Sequence, residues 1–231
     1  MSTKFMGGTP HAHMEMEMQQ IPGFRPRRSG MTVSRFSYTP TDCVCRYCTR
    51  KPEKKNGCSP TDCTCLQERL EAGCVPFSAL LEKLSAEVGI CPFVARVSSL
   101  STTETPFFSC DQHRRRFWKL FEGHSAVPDE AAMCAAIYLL CADTFLWGKS
   151  VMAVKPDFID FPFIQIHGVD LNGYVLFHTA KDLYKGTRHI SLSELTDPEL
   201  VSDWAFQLIV KAFLIRRYGT AVILKSLEDK E

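Results

Sequence analysis

No stretch of this chain stays apolar for the ~18 residues that a membrane helix requires. Its opening run, MSTKFMGGTPHAHMEMEMQQ, also lacks the apolar centre of an export signal. The expectation is a cytoplasmic chain with reduced thiols and no membrane role. Net charge is nearly absent too: 27 Lys and Arg against 26 Asp and Glu leave +1. That excludes a protein that holds polyanions by its overall charge. Short catalytic signatures are missing. There is no phosphate-cradling glycine loop, no Gly-x-Ser-x-Gly turn, no His-x-x-x-His pair and no cysteine with a neighbouring histidine. Nothing here announces a small-molecule substrate, and no catalytic residue is assigned.

What the chain does have is cysteine, eleven in all, and six of them, Cys43, Cys45, Cys48, Cys58, Cys63 and Cys65, crowd into residues 43–65. The intervening residues are polar and basic, so this segment cannot bury enough apolar surface to order itself. Thiolate ligation of one or two zinc ions supplies the missing free energy in small modules of this kind. An iron–sulfur cluster or redox cysteines are the alternatives. Thr39-Pro40-Thr41-Asp42-Cys43-Val44-Cys45 is echoed by Ser59-Pro60-Thr61-Asp62-Cys63-Thr64-Cys65. In each copy proline presets φ and the aspartate accepts backbone N–H bonds, so a tight turn delivers two thiols together. Cys45-x-x-Cys48 adds a zinc-knuckle spacing. Either one zinc takes four of the six thiols or two zincs share bridging thiolates. Cys74 ranks last as a seventh ligand, because eight helix-prone residues separate it from Cys65. Cys91, Cys110, Cys134 and Cys141, scattered among apolar residues, are expected to be small core residues.

The balance of charge is local. Residues 24–55 carry nine cations against two acids, Asp42 and Glu53. Arg46, Arg50, Lys51, Lys54 and Lys55 lie among the cysteines, where they offset the negative thiolate centre and offer cations to a DNA or RNA backbone. No residue set specifies a base code. The run Gln112-His-Arg-Arg-Arg-Phe-Trp118 also mixes cations with aromatics, but it reads better as a solvated helix face with Phe117 turned inward.

Periodicity divides the chain into a tail without regular structure over 1–30, the cysteine module over 31–74, a helical connector and linker over 75–106, a helical domain over 107–219 and a tail over 220–231. Leu66, Leu70, Phe77, Leu80, Leu81 and Leu84 recur at helical spacing, with Gly89 and Pro92 between two helices. Ser109 or Asp111 opens a helix carrying Phe117, and Pro128-Asp-Glu opens a central one through Ala132, Ala136, Ile137 and Leu140. For 170–185 a hairpin turn at Asp170-Leu-Asn-Gly173 competes with a helix. Two adjacent i, i+4, i+8 rows and a stop at Lys185-Gly186 favour the helix. Thr196-Asp-Pro-Glu199 reads as the capping box of the last long helix, which ends at Gly219. The fold class is therefore mainly α: a small thiolate-zinc module followed by a compact helical domain, with room for one short hairpin. His167, His178 and His189 lie eleven residues apart and invite a metal-hydrolase site with Asp160 or Asp170, but Gly168, Gly173 and Gly186 interrupt any single helix.

His113…Phe117, the Ala-Ile-Tyr-Leu-Leu helix, Lys155-Pro156-Asp157, the run Leu-Phe-His-Thr-Ala-Lys-Asp-Leu-Tyr-Lys-Gly to Gly186 and the closing helix together resemble an uncharacterised, mainly helical domain of Firmicutes phages and conjugative elements. The cysteine segment resembles small Cys-rich proteins of the same elements. Ile164-Gln-Ile-His167 departs from that pattern in being strand-like. The resemblance implies a fold and a mobile-element context, and it carries no activity. The resulting expectation is a zinc-stabilised nucleic-acid-binding or interaction protein. The alternatives are a protein–protein adaptor or host-defence inhibitor with structural zinc, and a hydrolase.

Overall fold

The computed structural model describes residues 12–20, 38–44, 63, 65–101, 106–121 and 129–223. The chain divides into two units, Met1–Ser37 and Tyr38–Glu231. The first contains the helix α1 (Ala12–Gln19), where the sequence predicts no regular structure. The MEMEM alternation has no apolar face, and Met14 and Met16 are exposed.

The second unit is mainly helical, as the periodicity predicts. Its elements are α2 (Leu66–Glu71), α3 (Phe77–Val88), α4 (Cys91–Ser101), α5 (Asp111–Phe121), α6 (Glu130–Leu140), α7 (Thr144–Ser150), a 3-10 turn (Phe161–Phe163), α8 (Leu171–Lys185), α9 (Leu192–Thr196) and α10 (Asp203–Tyr218). Among the described residues the only pairing of extended backbone is an isolated bridge between Val154 and Ile159. The helical reading of 170–185 holds. Asp170 accepts the Gly173 N–H as an N-cap, and Gly186, at φ 70°, closes the helix in the left-handed region.

Helix α6 sits at the centre. Every residue from Ala132 to Leu140 is buried, so no face is left for solvent, which marks an internal helix. Four alanines keep its waist narrow, so neighbouring helix axes can approach closely. It packs mainly on α8 and α10, with α5 and α7 on its other flanks. Its amino end is capped by Asp129, which accepts the Ala132 N–H.

The core crosses the boundary that the sequence predicts near residue 106. Leu70, Val75, Leu80, Phe93 and Val97 belong to the same buried cluster as α6, α8 and α10. Phe93 of α4 meets Phe206 of α10 edge-on at 5.6 Å. Arg96, its side chain 9% exposed, lies over the Phe206 ring at 4.4 Å. Its guanidinium donates to the Leu195 carbonyl at 2.9 Å, to the Val201 carbonyl, and to the Asp203 carboxylate at 3.0 Å. One cation thus ties α4 to the α9–α10 corner, with charge-assisted bonds replacing its lost hydration.

That corner differs from the sequence reading. The capping box is formed by Ser191 and Glu194 on α9, while residues 197–201 turn and α10 starts at Asp203 behind a Ser202 N-cap. Pro198 and two flanking acids resemble a helix start. Val201, fully buried, and the Arg96 bond to its carbonyl hold the segment in a turn instead.

Candidate metal centre

The first of the two echoed turns is formed as its residues dictate. Asp42 Oδ2 accepts the Thr39 N–H at 2.8 Å and the Thr39 hydroxyl at 2.6 Å. The Asp42 and Cys43 N–H groups donate to the Thr39 and Pro40 carbonyls. The bonds from the Thr39 hydroxyl and N–H hold the Asp42 carboxyl below its usual range, so the turn is set by a carboxylate. It leads into Cys43, which is half-buried. The second turn lies outside the described residues, as do Cys45, Cys48 and Cys58 and the cations Arg46, Arg50, Lys51, Lys54 and Lys55.

The remaining predicted ligands flank α2. Cys65 occupies its N-cap position, and the Cys65 N–H donates to Cys63 Sγ at 3.4 Å. A backbone donor two residues on is what a Cys-x-Cys pair uses to stabilise negative charge on sulfur. At the other end the chain reverses through a Schellman motif. The Gly73 N–H donates to the Leu70 carbonyl, and the Cys74 N–H to the Arg69 carbonyl at 2.8 Å. Gly73, at φ 70°, takes the left-handed position that a β-carbon would strain. The reversal leaves Cys74 near enough to Cys43 to influence its ionisation. Cys43 donates to the Glu68 carbonyl at 3.6 Å and Cys74 to the Ala72 carbonyl at 3.7 Å.

Burial, and then the neighbouring Cys74, raise the Cys43 pKa, while the Arg69 cation pulls it down. Among the described residues no three His, Cys, Asp or Glu side chains converge on one point. Of the described sulfurs, Cys63 accepts the Cys65 N–H and Cys74 influences the ionisation of Cys43. Soft sulfur donors of this type suit zinc.

The four scattered cysteines divide evenly. Cys134 and Cys141 are buried, as expected, and burial pushes both thiols far up. Cys91 and Cys110 are exposed, because each lies at the start of an amphipathic helix, α4 and α5, outside its apolar face.

Of the three spaced histidines, two come together. The His178 and His189 rings stand 5.0 Å apart, while His167 is exposed on the turn before Gly168. Asp170 is a helix cap and Asp160 precedes the 3-10 turn. The carboxylate that the sequence reading missed is Asp182. Its oxygens accept His189 Nδ1 at 2.6 Å, the His189 and Ile190 N–H groups, and the Thr187 hydroxyl. Burial raises the Asp182 pKa, but these bonds outweigh it and leave the group below its usual range. The carboxylate fastens residues 187–190 to α8, which is a structural use of His189. The only signal in the sequence was an acid seven residues before His189 on the same helix row as His178.

The basic run of α5 behaves as the solvated face expected. Phe117 is fully buried, Arg114 pairs with Asp111 at 3.2 Å, and Arg116 donates to Thr144 and Gln112. No helix among the described residues is long and apolar enough to cross a membrane. No protein-family model, no curated protein and no solved structure matches the chain.

Proposed function

We propose that the chain is a zinc-stabilised binding protein of a mobile element, in which a thiolate centre within residues 43–65 holds the neighbouring cations against a nucleic-acid backbone. The observation that supports this reading is the Thr39–Asp42 turn, which leads into Cys43, with Cys63 accepting the Cys65 N–H. Zinc bound there organises a segment whose sequence cannot organise itself. It also fixes Arg46, Arg50, Lys51, Lys54 and Lys55 around a compact centre.

The test is binding to duplex DNA and to RNA as salt is varied. With about four phosphate contacts, log affinity falls against log salt with a slope near −3.6, since each contact contributes about −0.9. Replacing the five cations by Gln flattens that slope while the zinc content holds. Absence of retention at roughly 50 mM salt, where such contacts are strongest, overturns the nucleic-acid half of the proposal.

A second reading, a protein–protein adaptor with structural zinc, is favoured by a different observation. Phe145, Met152, Phe158 and Phe163 are 45% to 66% exposed within a short stretch of chain, and burying such side chains is a gain that a protein partner can supply. Capture of one specific protein that survives nuclease treatment, and that is lost when Phe145 and Phe163 are changed to Ser, selects the adaptor.

A further inference from the structure

We propose that the outer face of α8 is a binding surface for single-stranded nucleic acid, in which Tyr174, His178 and His189 offer rings to the bases and Lys181, Lys185 and Arg188 offer cations to the phosphates. The inference rests on the nucleic-acid reading above and extends it from the cysteine segment to the helical unit. It uses none of the five cations named there and needs no metal.

The surface follows from the register of α8. Val175, Leu176, Phe177, Thr179 and Ala180 are buried, whereas Leu171, Tyr174, His178, Lys181 and Lys185 recur at spacings of three and four, which makes them one row along the helix. Leu171 and Tyr174 are 50% and 44% exposed, so the row opens to solvent at its amino end. Along it the rings form a ladder. Tyr174 and His178 stand 4.3 Å apart by centroids, and His178 and His189 5.0 Å. Asp182 fixes the far rung: it accepts His189 Nδ1 at 2.6 Å and the His189 N–H at 2.7 Å. The one carboxylate of this helix is thereby engaged. Lys181 Nζ stands 3.4 Å from His189 Nε2, so a cation adjoins the ladder directly. Lys185 follows one turn on, and Arg188, also exposed, precedes His189 in sequence. Neither Lys181, Lys185 nor Arg188 pairs with a described carboxylate. Every base has a π-face, so exposed rings beside spaced cations suit a single strand with little sequence preference. In a duplex those faces are already stacked and closed to the rings.

The experiment uses the full chain and a fluorescein-labelled oligouridylate of about 12 nucleotides, with the same strand annealed to its complement as reference. Anisotropy at roughly 50 mM salt should show tighter binding of the single strand. Tyr174→Ala should weaken it about tenfold, the loss of one stacked base, while Tyr174→Phe, which keeps the ring, should stay within about twofold of wild type. Changing Lys181, Lys185 and Arg188 together to Gln should make the slope of log affinity against log salt shallower by about 2, since each single-strand phosphate contact contributes about −0.7. In the unsubstituted chain, ultraviolet crosslinking to an iodouridine-containing strand and peptide mass analysis should mark the peptide holding Tyr174 or His189, a readout that misfolding of a variant cannot imitate. If the wild type retains neither strand nor duplex, the nucleic-acid reading falls and this inference with it. If it binds but Tyr174→Ala binds equally well, the duplex binds more tightly than the strand, or every crosslink falls outside residues 171–190, only the inference is overturned. If the strand is still retained, with its dependence on Tyr174, after Arg46, Arg50, Lys51, Lys54 and Lys55 become Gln, the inference stands and the cysteine segment is not where nucleic acid binds.

Discussion

Acidification should destabilise this protein through one histidine, His113. The side chain is fully buried among aromatic rings, 5.1 Å from Phe108 and 4.7 Å from Tyr138 by ring centroids. Its Nδ1 accepts the Ser109 N–H at 3.2 Å, and Nε2 pairs with the Tyr138 carbonyl at 2.8 Å. Only the neutral ring with its proton on Nε2 satisfies both partners. Burial, assisted by the Lys211 and Arg116 charges and opposed by the Tyr138 bond, lowers its pKa to about 4. The unfolded chain takes up this proton near 6.5. The unfolded state therefore binds more protons between those values, and stability is fully present above about pH 6.5 and lost as pH falls towards 4. Carrying the protein from pH 7 to pH 4.5 should cost about 2.5 kcal/mol through this group alone. Urea unfolding followed by circular dichroism measures it, with His113→Gln as the reference. The variant loses about 1–3 kcal/mol at pH 7 for its broken bonds, but its decline with acid should be shallower than that of wild type by about 2.5 kcal/mol. Parallel pH profiles, or a His113 imidazole resonance titrating near 6.5 in the native protein, would refute the argument.

Two further predictions concern packing and thiol access. Phe93→Ala should destabilise the whole helical unit by about 3–5 kcal/mol, because Phe93 is fully buried against Phe206 and Phe213. A fragment starting at residue 107 should accordingly be much less stable than the full chain, and urea midpoints of the two would show it; equal midpoints would mean that α3 and α4 contribute nothing to the core. In native protein a thiol reagent should modify Cys91 and Cys110 quickly and leave Cys134 and Cys141 untouched until denaturant is added. Rapid labelling of Cys134 would mean that α6 is not the internal helix described here.

The helices were legible wherever an apolar period met a cap or a stop. Pro92, Asp129, Asp170, Gly89 and Gly186 all fall within a residue of a helix end. The errors came where local rules were satisfied twice. Both Ser191-x-x-Glu194 and Thr196-x-x-Glu199 fit a capping box, and burial of Val201 together with the Arg96 bonds, which span about a hundred residues, decided between them. The domain boundary failed for the same reason. Residues 101–106 look like a linker by composition, yet the chain on either side of them shares one core, and no local pattern reports that Phe93 will meet Phe206. Cys91 and Cys110 were misassigned because apolar neighbours in sequence are not neighbours on a helix face. At the candidate site, the Thr39–Asp42 turn could be read from four residues, whereas the placement of Cys74 depends on a glycine-driven reversal and on where α2 docks.

The docking of α2 bears on how a metal would act. A six-residue helix has too few hydrogen bonds to stand alone, since isolated helices below about 12 residues are marginal in water. Here α2 is held by Leu70, 2% exposed, and by Val75 just beyond it, fully buried in the common core. Cys65 precedes the helix and Cys74 follows it, so two sulfur donors sit at either end of an element already fixed by apolar packing. Ligands presented in this way lose less conformational freedom on binding than ligands on a free loop. A zinc ion bound to these thiols would thus meet Cys65 already placed by the core and Cys43 placed by the Asp42 turn.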